Sequence, residues 1–478
     1  MREKIVSDFK YYFLDMGIVS VIGYLFYIMM GRFLAPIDYG ILMTVIGLYT
    51  IVSPFTSLGF NETLSRFLPI HGEARTRSYM TYALKKSFII SLAVSAVIFI
   101  FSSSIAKYIY ANDAMTIPLM VLSLLILAGS ISIVLKGVLQ GTKNFSALLV
   151  SDVISQSLRL ILPFILISYG VGVLAGLFGW FATFIVFDIT IMIYLIRHFT
   201  YKTVKPEKEF INYGLSSAVY AMVLWLLIQN SLLILGFFDI AEAGLFGVAL
   251  VFGQIILSLP LILIGILLPY LSEMFSRRDI SSARRFVELM LKNAFIILFP
   301  AVVFITFFSK QIIFHLYSPK YILASKFFFP VLMAFMFLGL SMILMTSLYS
   351  YGRHLSRIKY IIISLILSTI LSFILYGIYE SVGIAYGFLL VQLIMLIYLS
   401  IECKRKMQIG FPRKVLNAIP AVVIFSGLIY LVDKYYINFE YGIVFVSVAM
   451  LAYLGLLLVF KTFSKDDFDL IKLFLGRK

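Results

Sequence analysis

Four polar residues inside one apolar stretch carry the first chemistry. Asp152, Ser155, Gln156 and Arg159 are spaced i, i+3, i+4 and i+7 within residues 148–169. On an α-helix that spacing places them on one face. Arg159 lies about eleven residues into the stretch, close to mid-bilayer if the stretch spans a membrane. A guanidinium at that depth costs about 2.5–3.5 kcal/mol on insertion scales, so it is not expected to face lipid. Two readings follow. Arg159 is a cavity cation whose planar fork donates paired hydrogen bonds to the phosphates of a lipid carrier. Alternatively it closes an interhelical ion pair with Asp188 or Asp15, which lie in the sixth and first apolar stretches.

Other candidates are sparser. Asp15 sits about one turn into the first apolar stretch, where it lines a cavity or rests at the interface. Arg66 follows the second stretch and serves as a substrate contact or as a topology and headgroup anchor. Arg32 ends the first stretch; it receives a diphosphate outside or snorkels to the interface. Ser217, Tyr220 and Asn230 form a thin polar stripe that lines the cavity or bonds to neighbouring helices.

These residues need spanning helices to position them. Hydrophobic residues make up 62% of the chain and charged residues only 13%, a balance that cannot cover a soluble surface. Fourteen apolar stretches run from 11–33 to 442–460, too long and too unbroken for barrel strands. The net charge of +16 does not indicate nucleic acid, because the cations sit in short segments beside apolar runs. With the N-terminus inside, inner segments hold 32 of the 39 Lys and Arg residues, and outer segments hold six: Arg32, Lys107, Lys310, Lys320, Lys326 and Lys434. That bias predicts a multi-pass protein of the cytoplasmic membrane with both termini cytoplasmic. The first run has no small-residue cleavage site and reads as an uncleaved span. The single cysteine, Cys403, is read as lying in a basic loop, and one cysteine permits no intramolecular disulfide.

The chain also repeats. At an offset of 204 residues Gly40 falls on Gly244 and Asp38 on Glu242; at 211, Gly141 falls on Gly352, Val171 on Val382, Gly172 on Gly383 and Gly176 on Gly387. The expected fold class is an all-α polytopic membrane protein of about fourteen helices: two pseudo-symmetric six-helix lobes, residues 1–205 and 206–405, then a helix pair and cytoplasmic tail over 406–478. Pro54, Pro163, Pro260, Pro269, Pro300 and Pro330 fall in or near the spans, where prolines kink helices. The thirty tyrosines serve mainly as interfacial anchors, with sugar stacking as the alternative.

The segments GRFLAPIDYG, SLGFNETLSRFLP and GVLQGTKNF, with NSLLILGFFDIAEAGLFGVA and LLPYLSEMF in the second half, carry a resemblance. Together they resemble the polysaccharide-transporter branch of the multidrug/oligosaccharidyl-lipid/polysaccharide exporter superfamily, the O-antigen-type flippases. The resemblance covers the whole chain and implies a central cavity between two lobes with alternating access. It departs at Asn230, where many relatives carry an acidic residue.

The expected function is therefore export of a lipid-linked oligosaccharide, with no cofactor and the coupling ion left open. Outward movement of two negative charges gains about 4.6 kcal/mol at 100 mV, so coupling is not required. Expected partners are that substrate and membrane lipids, with no nucleic acid; the chain is expected to act as a monomer alongside glycan-assembly enzymes. Two other readings stay open. A cation-coupled multidrug exporter would want acidic cavity residues. A polysaccharide polymerase or ligase would need a sizeable catalytic outer loop. No P-loop, HExxH or paired cysteines appear, and the four histidines are isolated.

Overall fold

The computed structural model describes residues 2–71, 73–198, 206–351, 356–410, 414–435, 439–460 and 462. Every regular element among them is helical. Eleven helices are long and apolar enough to cross a membrane, and two shorter apolar helical stretches, Pro420–Leu431 and Val448–Val459, follow. The protein is an all-α polytopic membrane protein. The chain divides into two compact units, Met1–Gly247 and Val248–Lys478.

In the first unit α1 (Arg2–Phe33), α2 (Pro36–Thr56), the short α3 (Phe60–His71), α4 (Glu73–Ser104), α5 (Thr116–Gly141), α6 (Phe145–Ser168), α7 (Val173–His198) and α8 (Lys208–Phe238) precede the start of α9 (Ile240–Ser276). The polar segment 35–40 is a helix start. Pro36 opens α2 in the first helical turn and Asp38 follows it. Proline's fixed φ and an acidic side chain both suit a helix start. The connection from α2 to α3 is tight because Leu58 and Gly59 have φ of 52° and 61°. A Cβ on Gly59 would lie 2.4 Å from the Gly214 carbonyl oxygen of α8, so that close approach requires glycine.

α3 is amphipathic and carries Arg66. Its apolar face joins Tyr79 and Ala83 of α4, Leu135 and Val138 of α5, Phe187 of α7 and Phe210 of α8 in one buried cluster. Phe210 stacks on Phe60 and meets Tyr79 edge-on, with ring centroids 5.6 and 4.9 Å apart. This cluster anchors one end of the bundle that holds the polar residues described below.

The second unit holds the rest of α9, then α10 (Ile280–Phe307), α11 (Ser309–Leu316), α12 (Ser325–Ser350), α13 (Ser356–Met407), α14 (Lys414–Tyr435) and α15 (Phe439–Val459). The segment that holds the expected outer cations Lys310, Lys320 and Lys326 is ordered as α11 and a 3-10 turn over Pro319–Ala324 before α12 begins. α13 is two helices folded back on each other. Glu380 breaks it with φ 53° and ψ −139°, a conformation sparsely populated by non-glycine residues. Tyr360 in the first limb donates a hydrogen bond to Glu402 in the second, and Ser372 donates to the Ile384 carbonyl. Cys403 is not in a loop: it lies in the second limb, fully buried, with Sγ 3.7 Å from the Leu344 carbonyl. The C-terminal pair packs on α10 through Ile296, Phe425 and Tyr453, and the Tyr453 hydroxyl donates to the Ile296 carbonyl at 3.0 Å.

Of the repeat, Gly40 and Gly244 occupy matching first turns of α2 and α9. Gly352, His354 and the tail 463–478 lie outside the described residues.

Candidate functional site

α6 carries the polar face that its spacing predicts. Asp152, Ser155 and Gln156 are all buried, and Arg159 lies two turns further along, about 10 Å by helical rise. α6 docks closely on α7 at the level of Arg159. A Cβ on Gly179 would lie 2.3 Å from the Pro163 ring and 3.5 Å from the Arg159 carbonyl oxygen. This close approach brings Trp180 beside the guanidinium.

Arg159 sits in an aromatic cage. Its guanidinium carbon is 4.1 Å from the Trp180 ring centroid, 4.7 Å from Phe26 and 5.6 Å from Tyr27. Tyr49 from α2 meets Trp180 edge-on at 5.5 Å. Gly129 of α5 leaves the room for it, since a Cβ there would lie 2.0 Å from the Tyr49 hydroxyl. The electron-rich ring faces attract the cation, each for about 0.5–2 kcal/mol. They do so without consuming N–H donors. Arg159 Nε and Trp180 Nε1 are buried with no hydrogen-bond partner, and so is Gln156 Oε1. A buried donor without an acceptor costs about 1–3 kcal/mol. An oxyanion arriving at the cage would relieve that cost.

The ion-pair reading of Arg159 is not what the helices build. Among the described residues Arg159 forms no salt bridge. Asp188 of α7 accepts a hydrogen bond from Ser132 of α5 at 2.6 Å. Asp152 is bound by Lys136 of α5, whose Nζ lies 2.8 and 3.0 Å from the two carboxylate oxygens. Lys136 also lies 5.1 Å over the Phe187 ring.

Asp15, Asp152 and Lys136 share a cavity of about 220 Å³ with Tyr12 and Gln140. Asp15 is only 6% exposed and its Oδ1 has no hydrogen-bond partner. Two carboxylates face one ammonium there, so the cavity keeps one uncompensated negative charge when all three are ionised. Toward the bilayer centre α6 thus passes from a carboxylate to a cation.

The remaining candidates lie apart. Arg66 is an exposed residue of α3, with its guanidinium 4.4 Å over the Tyr213 ring. Arg32 is exposed in the last turn of α1. Asn230 is buried in α8, next to Gln229, whose amide donates to Thr50 of α2 at 3.3 Å.

Sequence reasoning missed Lys136 and Trp180. Lys136 directly follows an apolar run that ends at Leu135, so it reads as a flanking cation. Ser132, Lys136 and Gln140 fall at i, i+4 and i+8, a polar helix face that was there to be read. Trp180 is one of two tryptophans in the chain, but no periodicity links it to Arg159. Among the described residues no group of three His, Cys, Asp or Glu side chains is placed to hold a metal ion.

Residues 29–326 match the model of a family described as polysaccharide biosynthesis protein. The chain belongs to that family. One curated protein of similar sequence is stage V sporulation protein B of Bacillus subtilis strain 168, 23% identical over 205 residues. That match takes in 41% of this chain and 39% of the length of the sporulation protein. Among solved structures, a lipid II flippase MurJ in an inward closed conformation superposes with a TM-score of 0.78 at 18% identity, covering 94% of this chain and 98% of that one. An inward-facing multidrug resistance MATE transporter of the MOP superfamily superposes with a TM-score of 0.69 at 14% identity, covering 82% and 94%. The chain therefore has the fold of MOP-superfamily membrane transporters.

Proposed function

We propose that this protein is a flippase that moves a lipid-linked oligosaccharide, carried on a polyprenyl phosphate or diphosphate, across the cytoplasmic membrane for cell-surface glycan synthesis. The physical problem is a charged, hydrated headgroup. An isolated ion costs on the order of 20 kcal/mol to place in hydrocarbon by idealised Born estimates. A wettable, cationic interior removes most of that cost while the lipid tail stays in the bilayer. The observation that carries this reading is a pair of orphaned donors at the cage: Nε of Arg159, in the middle of α6, and Nε1 of Trp180, on α7.

In this reading the helices make fourteen crossings, with the two limbs of α13 counted separately. They form lobes over 1–205 and 206–405 and an added pair over 406–478, with both termini cytoplasmic. The lobes alternate access by rocking, and the protein acts as a monomer without nucleotide hydrolysis. Arg66 and Arg32 supply cations at the two membrane faces, while Asn230 and Gln156 offer neutral hydrogen bonds.

Liposomes holding only this protein test the reading. Polyprenyl-diphosphate oligosaccharide should equilibrate between leaflets. Arg159→Ala should slow flipping about tenfold or more, since hydrogen bonds to charged groups contribute about 1.5–3 kcal/mol. Arg159→Lys should keep part of the rate, because an ammonium replaces the charge but not the planar fork. Full activity in the Ala variant removes Arg159 from the mechanism.

One observation favours a second reading, a cation-coupled multidrug exporter. The buried, unpartnered Asp15 oxygen lines a small acidic cavity. Export of cationic dyes, with no headgroup-dependent flipping, would select that reading.

A further inference from the structure

We infer that the cavity between α1, α5 and α6 is a subsite for a sugar ring of the substrate, next to a phosphate at the Arg159 cage. The inference rests on the proposed transport of a lipid-linked oligosaccharide and gives its sugar a place. The cavity measures about 220 Å³, and its polar lining is Tyr12, Asp15 and Ser20 of α1, Lys136 and Gln140 of α5, and Asp152 of α6. One water needs about 10–15 Å³, so the space admits a ring-sized guest. Ser20 is exposed at its mouth, while Asp15 and Asp152 are buried at its floor.

Asp15 is the group that needs a donor. It is 6% exposed, and its Oδ1 is buried without a hydrogen-bond partner. Lys136 is engaged with Asp152, its Nζ lying 2.8 and 3.0 Å from the two carboxylate oxygens. Gln140 is oriented by Ser65, whose hydroxyl donates to Oε1 at 3.0 Å, so the NH2 of its amide stays available to donate. Tyr12 adds an aromatic ring, set edge-on against Phe145 at 5.4 Å. This chemistry narrows the guest. Two carboxylates against one ammonium repel a phosphoryl group. A metal cation would stand beside the Lys136 ammonium. A neutral polyol suits the lining, because its hydroxyls donate to the carboxylate and accept from the amide.

The cavity and the cage are two ends of one α1–α6 seam. Gly23 of α1 lies about two turns beyond Asp15 and adjoins the cage, since a Cβ there would lie 3.8 Å from Arg159 Nη1. On α6, Asp152 and Arg159 stand about 10 Å apart by helical rise, with Gln156 between them in sequence. Gln156 Oε1 is also buried with no partner. The orphaned groups are therefore sorted along the seam. The acceptors Asp15 Oδ1 and Gln156 Oε1 lie toward the cavity, and the donors Arg159 Nε and Trp180 Nε1 lie at the cage. A glycosyl phosphate has the matching polarity, with donating hydroxyls at one end and accepting phosphoryl oxygens at the other.

Calorimetric titration of the purified full chain tests the subsite, with inorganic phosphate and the 1-phosphates of glucose, galactose and N-acetylglucosamine as probes. At least one sugar 1-phosphate should bind the parent about tenfold more tightly than phosphate. Asp15→Asn should remove that gain and leave phosphate binding as it was, whereas Arg159→Gln should weaken both. Retained phosphate binding in Asp15→Asn separates lost contact from lost fold. Ser20→Trp, which fills the cavity from its exposed mouth, should also remove the gain, and it decides the matter if Asp15→Asn does not fold. If Asp15 merely takes up a proton, Asp15→Asn and Ser20→Trp bind sugar 1-phosphates as the parent does, and the inference fails. It also fails if no sugar 1-phosphate outbinds phosphate at millimolar concentration. Binding of tetraphenylphosphonium through Asp15, with none of the sugar probes, overturns it in favour of the exporter reading. Sugar-dependent binding without flipping in liposomes supports the subsite and removes the proposed transport instead.

Discussion

Gly40 of α2 and Gly244 of α9 meet backbone to backbone. A Cβ built on Gly40 would lie 1.9 Å from the Ile240 carbonyl oxygen, and one built on Gly244 would lie 2.0 Å from the Pro36 carbonyl oxygen. The contact is reciprocal: each glycine admits the carbonyl that lies four residues before the other. The residues that mark the repeat in sequence thus form one helix crossing.

Either glycine replaced by Ala should force the two helix starts apart. Overpacking of this kind costs about 1–3 kcal/mol, and here backbone rather than a flexible side chain must move. A melting temperature lowered in both Gly40→Ala and Gly244→Ala is the expected outcome, measured in detergent. The double variant should lose less than the sum, because one separation relieves both clashes. Additive losses would mean the two sites do not share a crossing.

Trp180 should matter through its N–H as well as its ring. Trp180→Phe keeps an aromatic face over Arg159 but removes one orphaned donor. Its flipping rate should fall between those of the parent and Trp180→Ala. Equal rates in parent and Trp180→Phe would leave the indole N–H without a part in headgroup recognition.

Lys136 should be needed by Asp152 rather than by substrate. The Asp152 side chain is 2% exposed, and removing its partner leaves a buried carboxylate uncompensated. Lys136→Ala should destabilise the protein by about 1–3 kcal/mol. Adding Asp152→Asn should recover most of that loss, and a double-mutant cycle on thermal unfolding reads the coupling. Absence of coupling would show that the pair contributes little in the membrane.

Asp279, half-buried at the N-cap of α10, provides a pH test outside the spans. Its carboxylate accepts hydrogen bonds from the Ser282 amide at 3.0 Å and the Ser281 hydroxyl at 2.8 Å. The bonds from Ser282 first, then Ser281, hold its pKa below the usual carboxylate value. A depressed folded-state pKa means the cap is at full strength above the ordinary carboxylate pKa of about 3.9. It is lost as pH falls through the lower folded value. Hydrogen exchange at the Ser282 amide, corrected for intrinsic rates, should show protection that fades in acid and is absent in Asp279→Ala at neutral pH. Protection independent of pH would remove the ionised cap.

Cys403 makes orientation simple to test. The only cysteine of the chain is fully buried in α13, so it should label poorly in the native protein. In whole cells, Lys310→Cys should react with an impermeant maleimide and Arg278→Cys only after lysis. The opposite pattern would invert the proposed topology.

Composition and periodicity determined much of this protein. The long apolar runs required spanning helices, because hydrocarbon leaves no other way to satisfy the backbone. The spacing of Asp152, Gln156 and Arg159 placed them on one face, and the glycine repeat marked a real crossing. These are properties local to one helix, or shared by two similar segments, so the linear sequence records them. What surrounds Arg159 was settled only by packing. The alternatives were Asp188 and Asp15; the assembled helices supplied Trp180, Phe26 and Tyr27, and gave Asp152 to Lys136. A partner on another helix depends on axial register and rotation. With 1.5 Å of rise and about 100° of turn per residue, a slip of one position points a side chain elsewhere. Gly179 against Pro163 and Gly129 against Tyr49 set that register through shape, and shape complementarity between distant segments is carried by the tertiary structure alone.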